Sequence, residues 1–286
     1  MDDPASAGGF SARVAAAVVG SGPLCAGIDP SQALLEHWGL TDDAKGLHSF
    51  GMRCVEAFAG IVPVVKPQVA FFERCGSAGM EALESVLGAA KAAGLIVIAD
   101  AKRADIGNTM EAYASAWLDP GSPLCADAVT AVPYLGLGAL QPMFDLAGAH
   151  GRGVIVVVRS SNPEGRTLQR ALTDSGKGPS VEDQLLNEIA VLNHGDLIPA
   201  GTVGAVIGAT LKPSQFRLAE LGGTILAPGV GAQGATANEV SALFSNCPPG
   251  SVLASASRSL LAAGPDVAAL ASAARQALEE MTAALA

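Results

Sequence analysis

The stretch Ala99–Thr109, ADAKRADIGNT, sets Asp100, Lys102, Arg103 and Asp105 directly behind the apolar run Leu95–Ile98. Only 15% of the 286 residues are charged, against about 25% in a typical globular domain, so such a cluster is unusually informative. Asp100 and Lys102 are two apart in a segment that reads as a strand, which sends both to one face. If that face is buried, an isolated charge there costs free energy or titrates to neutrality. Alternating carboxylate, ammonium and carboxylate lets each charge offset its neighbour, and Asp105 follows in the turn or first turn of a helix. Two readings fit. One is a structural ion-pair network at a strand end, with Asp105 as a helix N-cap. The other is a preorganised electrostatic site. Lys66, within VVKPQVAFFE, sits among apolar residues at the end of the preceding strand. It is either a snorkelling lysine or a second ammonium within reach of Asp100. Arg103 points away from Lys102 and reads as a rim or interface charge.

A second group of residues suits an anion. In APGVGAQGAT, Ala227–Thr236, Gly229, Gly231 and Gly234 allow close backbone approach. With the N-terminus of the next helix, and with Arg258 at the following strand end, they make a phosphate cradle. Gln233 can donate an amide hydrogen to a phosphate oxygen. The competing reading is a Gly-rich loop with no ligand. The turn SSNPEG contains Ser160 and Ser161, which alternate in direction, and no histidine accompanies them. That argues against a serine nucleophile.

These groups need a scaffold that brings strand ends together. Eight short runs rich in Val, Ile and Ala recur at 24–29, 61–68, 95–102, 126–134, 153–161, 204–210, 224–230 and 252–258. They lack alternation, as strands buried on both faces do. Helical patterns separate them, among them GMEALESVLGAAKAAG, SVEDQLLNEIAVLNHG and the final PDVAALASAARQALEEMTAALA. The order predicts a single (β/α)8 TIM barrel over 1–286, with 1–22 as an N-terminal helical extension. An open doubly wound sheet is the competitor. Against it, no GxGxxG follows the first strand, and Asp29, Lys66, Asp100, Lys102, Ser161 and Arg258 mark many different strand ends. In a barrel all of those ends face one mouth.

The formal net charge is −10 with no basic stripe, which excludes a nucleic-acid surface. No run approaches the ~20 apolar residues of a membrane span. The N-terminus is acidic and lacks a signal-peptide pattern, so the expected location is cytoplasmic. Cys25, Cys54, Cys75, Cys125 and Cys247 are scattered and odd in number, which predicts reduced and buried thiols. His37, His48, His150 and His194 show no ligand spacing, and no metal is expected.

Taken in order, VVKPQVAFFE, DAKRADIGNT, SNP and APGVGAQG resemble the orotidine 5′-phosphate decarboxylase family, in its bacterial subgroup. The likeness runs from about Cys25 to Arg258. It implies cofactor-independent decarboxylation of orotidine 5′-phosphate to UMP, in a homodimer with active sites at the interface. Lys66, Asp100 and Lys102 of one subunit and Asp105 of the other would form a charged network, with Lys102 the proton donor to C6. Ile106 and Thr109 would also reach into the partner's site. Asp29 would meet the ribose, Ser161 the pyrimidine beside Pro228, and Gly229, Gln233, Ser257 and Arg258 the phosphate. Ala104, Val132 and Ser257 depart from residues frequent in the subgroup, and none of them removes a charge from the network. Two other functions remain open at this point. One is a Mg²⁺-dependent sugar-phosphate lyase on the same barrel. The other is a phosphate-binding barrel without activity.

Overall fold

The computed structural model of the chain describes residues 8–211, 218–230 and 235–285. Eight strands form one closed barrel: β1 (Leu24–Ile28), β2 (Val64–Pro67), β3 (Ile96–Arg103), β4 (Ala128–Ala131), β5 (Gly153–Arg159), β6 (Val203–Ile207), β7 (Ile225–Pro228) and β8 (Val252–Ala256). Every neighbouring pair is parallel, and β8 closes on β1 with Ser255 opposite Cys25. This is the predicted (β/α)8 architecture. Apart from β3, which is shifted by one residue, the strands are shorter than the sequence runs, because several runs continue into loops at their carboxyl ends. Arg258 is one case: β8 stops at Ala256, and Arg258 opens a short helix, Arg258–Leu261.

Packing follows from the two-residue period of each strand. One residue from each strand points inward to make a dry ring: Cys25, Val64, Ile98, Ala128, Ile155, Val206, Leu226 and Leu253. Phe10, Val14 and Val18, one face of the helix Phe10–Ser21, join this inner core and stopper the amino-terminal end. Truncating a buried phenylalanine of this kind costs about 3–5 kcal/mol. Outward-facing residues such as Leu24, Val65, Val97 and Val129 pack under the surrounding helices in a second, larger core. The helices Gly76–Ala92, Val181–His194 and Val267–Ala284 fall where the sequence patterns predict. Ser180 and Asp266 cap the last two, accepting the N–H groups of Asp183 and Ala269.

Two residues beyond the dry ring, the same inward face carries Gly27, Lys66, Asp100, Thr130, Val157, Gly208, Pro228 and Ser255. The interior thus changes from apolar to charged within one step of the period. Two strands also break register there, β3 between Ala99 and Arg103 and β5 between Val157 and Arg159. Such bulges re-aim side chains next to sites.

All five cysteines are free thiols. Cys25, Cys54 and Cys125 are buried as expected. Cys75 and Cys247 are only partly so, because they lie at a helix start and in a loop rather than in the core. Among the described residues, no helix is long and apolar enough to cross a membrane.

Candidate active site

A cavity of about 280 Å³ opens at the carboxyl ends of the strands. Asp100, only 7% exposed, forms its floor. Its Oδ2 accepts from Lys66 Nζ (2.8 Å) and Gln68 Nε2 (2.9 Å). Its Oδ1 accepts from Lys102 Nζ (2.5 Å) and Thr130 Oγ1 (2.9 Å). Burial alone would raise the Asp100 pKa, but Lys66 and Lys102 hold it well below the usual carboxylate range. Burial likewise works against the Lys66 ammonium, and Asp100 and Asp29 overcome it, so its pKa lies above the ordinary lysine value. The floor is therefore a fixed carboxylate whose acceptor positions are filled.

The two lysines differ in access. Lys66 is 6% exposed, whereas the Lys102 side chain is 48% exposed while still touching Asp100. Regular strand alternation does not place Lys102. It lies inside the β3 bulge at φ 49°, a left-handed conformation that costs a non-glycine residue about 1–3 kcal/mol. Thr130 anchors it by accepting the Lys102 N–H at 2.9 Å.

On the opposite wall, Ser257 Oγ donates to Asp29 Oδ2 at 2.6 Å. Gly27 permits that approach, since a Cβ there would stand 2.6 Å from the Ser257 Cβ. Asp29 Oδ1 is buried and has no hydrogen-bond partner. An oxygen in that state is satisfied by a donor arriving in the cavity. Ser161, Pro228, Gly229, Ser257 and Arg258 also line the space.

The sequence residues are thus gathered in part. Asp29, Lys66, Asp100, Lys102, Ser161, Pro228, Gly229, Ser257 and Arg258 share one wall system. Asp105, Ile106 and Thr109 do not line the cavity of their own chain. Asp105 Oδ1 accepts the Ile106 N–H at 2.8 Å, and the N-cap of the helix Gly107–Leu118 is Ile106 rather than Asp105. Gln233, with Gly231 and Gly234, lies outside the described residues. Arg103 is a fixed rim charge: it pairs with Glu73 and sits over the rings of Tyr113 and Trp117. Sequence reasoning missed Gln68, Thr130 and Ser255. The two-residue period was the available signal, for each stands two positions from an inward-facing neighbour: Lys66, Ala128 and Leu253.

A family model for "Orotidine 5'-phosphate decarboxylase / HUMPS family" matches residues 22–273. The chain belongs to that family. It is 52% identical over 276 residues to the orotidine 5′-phosphate decarboxylase of Salinispora tropica, covering 96% of this chain and 98% of that protein. It is 53% identical over 248 residues to that of Corynebacterium efficiens, covering 86% and 87%. Among solved structures, a Streptomyces avermitilis protein provisionally named orotidine 5′-phosphate decarboxylase superposes with a TM-score of 0.89 at 44% identity, covering 100% of this chain and 99% of that one. The Leishmania donovani OMP decarboxylase gives 0.74 at 27% identity, covering 96% and 98%.

Proposed function

We infer that this chain is an orotidine 5′-phosphate decarboxylase, converting orotidine 5′-phosphate to UMP in pyrimidine biosynthesis, with Lys102 as the proton donor. The observation that carries the assignment of roles is the asymmetric grip on Asp100: one buried ammonium, Lys66, and one that is accessible, Lys102. The C6–carboxylate bond breaks, CO2 leaves, and the electron pair stays on C6. Lys102 Nζ gives its proton to that carbon, and solvent returns one to the amine. A preorganised cation at the developing carbanion stabilises the transition state without reorganisation at the moment of reaction. Asp100 cannot take up the proton, because Lys66, Lys102, Gln68 and Thr130 already occupy its oxygens. Lys66 keeps that carboxylate charged and in place.

The unpartnered Asp29 Oδ1 suits a ribose hydroxyl. Arg258, exposed at the rim beside Gly229 and Ser257, suits the phosphate, and phosphate contacts far from C6 assist desolvation at the reacting end. Ser161 and Pro228 face the base. Ser161 lines the cavity and opens the SNP element, which supports it as the base contact.

The working form in this reading is a homodimer, with Asp105 of the partner subunit beside Lys102 and with Ile106 and Thr109 crossing the same boundary. Exposed apolar side chains support such an interface: Ile106 (62%) on the loop after β3, and Tyr134 and Leu135 on the loop after β4. A Val132 N–H to Arg103 carbonyl bond ties the two loops together. The test is loss of orotidine 5′-phosphate absorbance with and without EDTA, for the parent and for Lys102→Ala. The parent should turn over in both conditions, and the variant should be inactive while still folded. Near-normal turnover by Lys102→Ala would overturn the donor assignment.

A further inference from the structure

The wall that bears Ser160 and Ser161 is held from outside the cavity. Ser160 donates its backbone N–H to Gln169 Oε1 at 3.2 Å, and Gln169 Nε2 donates to Ser160 Oγ at 2.8 Å. One amide group therefore fixes both the main chain and the side chain of a single residue. Gln169 ends the short helix Gly165–Gln169 and is not part of the cavity wall.

The surroundings leave the turn little other freedom. Gly208, just past β6, lies directly beneath Ser161: a Cβ there would stand 3.0 Å from the Ser161 N and 3.1 Å from its Cβ. The Gly208 N–H also donates to the Arg159 carbonyl at 2.9 Å. Arg159 and Glu182, both buried, pair at 3.1 Å and join the two ends of the excursion 160–181. With the ends pinned and the floor bare, the bond pair to Gln169 holds Ser160 in one orientation within the turn.

We infer that Gln169 is a positioning residue for base recognition, acting through Ser160 to hold Ser161 against the pyrimidine. This rests on the reading of Ser161 as the base contact. Gln169 touches no substrate, so its effect falls on ligands that have a base and spares those that lack one. A residue that merely supports the fold would weaken both kinds.

The experiment compares inhibition by UMP with inhibition by ribose 5-phosphate in the parent, Gln169→Ala, Gln169→Glu and Ser161→Ala, each checked for an unchanged melting curve. Gln169→Ala should weaken UMP inhibition about tenfold and leave ribose 5-phosphate inhibition unchanged. KM should rise more than kcat falls, as for binding shared by ground and transition states. Gln169→Glu keeps an acceptor for the Ser160 N–H and offers a second oxygen to the Ser160 hydroxyl. It should restore UMP inhibition to within about threefold. Gln169→Ala with UMP inhibition intact, beside a weakened Ser161→Ala, overturns the clamp. Equal losses on both inhibitors overturn base-directed positioning. Intact UMP inhibition in Ser161→Ala shows that the base-contact reading itself is wrong, and the route through Ser161 falls with it.

Discussion

Thr130→Val removes two hydrogen bonds from the network and almost no volume. The residue is 1% exposed, and its hydroxyl works in both directions. It donates to Asp100 Oδ1 at 2.9 Å and accepts the Lys102 N–H at 2.9 Å. A hydrogen bond to a charged group contributes about 1.5–3 kcal/mol, and a stranded donor costs about 1–3 kcal/mol. Lys102 borders the cavity, so water recovers part of the second amount. The expected loss of stability is about 2–4 kcal/mol, or about 3–7 °C in Tm for a chain of this size. Lys102 holds φ 49° against its own preference, and the lost anchor is the one that keeps it there. If about half of the lost energy falls on the alignment of Nζ, kcat drops about 5–30-fold at 1.4 kcal/mol per factor of ten. Thr130→Ser keeps the oxygen and should stay within about threefold of the parent. The assay pairs thermal melts with absorbance turnover for all three proteins. A Val variant that melts and turns over like the parent would show that the hydroxyl neither stabilises Asp100 nor seats Lys102.

Arg258→Ala should lower kcat/KM on orotidine 5′-phosphate and scarcely affect orotidine; equal losses on both substrates would remove Arg258 from the phosphate site. Mixing inactive Lys102→Ala and Asp105→Ala protomers should regain activity once subunits exchange, and silence after confirmed exchange would argue against a shared site. The Asp100 pKa is depressed on folding, so its stabilisation is complete above the ordinary value of 3.8 and is lost as pH falls through the folded value. For Lys66 the shift is upward, so its share is complete below 10.5 and is lost as pH rises through the folded value. The stability gap between the parent and Asp100→Asn should accordingly shrink as pH falls below about 4, and should also narrow toward alkaline pH, where the buried Lys66 of the variant, without Asp100, gives up its proton more readily than in the parent. Urea melts from about pH 3 to pH 10 give the answer, and a gap that stays constant below about pH 4 would contradict the assigned Asp100 shift.

The barrel was legible because every strand is buried on both faces, which writes an unbroken apolar run into the chain. Lys66 and Asp100 were legible because a charge inside such a run has few physical explanations. Lys102 was found by alternation, yet alternation is not how it gets there, since the β3 bulge and the positive φ are invisible in DAKRAD. Thr130 escaped notice because a threonine in AVTA reads as an ordinary β-former, and its value comes only from a partner thirty positions away. Gln169 was silent for a similar reason: its meeting with Ser160 depends on how the excursion after β5 folds back. Asp105, Ile106 and Thr109 stand out in the motif, but one chain by itself does not bring them to the cavity.

Because the helix Phe10–Ser21 closes the far end of the barrel, solvent can reach the charged floor from one side alone. The ring between them acts as a gasket, and burial there pushes the Cys25 thiol up to about 12. The field that Lys66 and Asp100 exert on a bound ligand is thus undiluted from beneath. Twelve residues before the first strand, far from any reacting atom, keep the dielectric low where the chemistry happens.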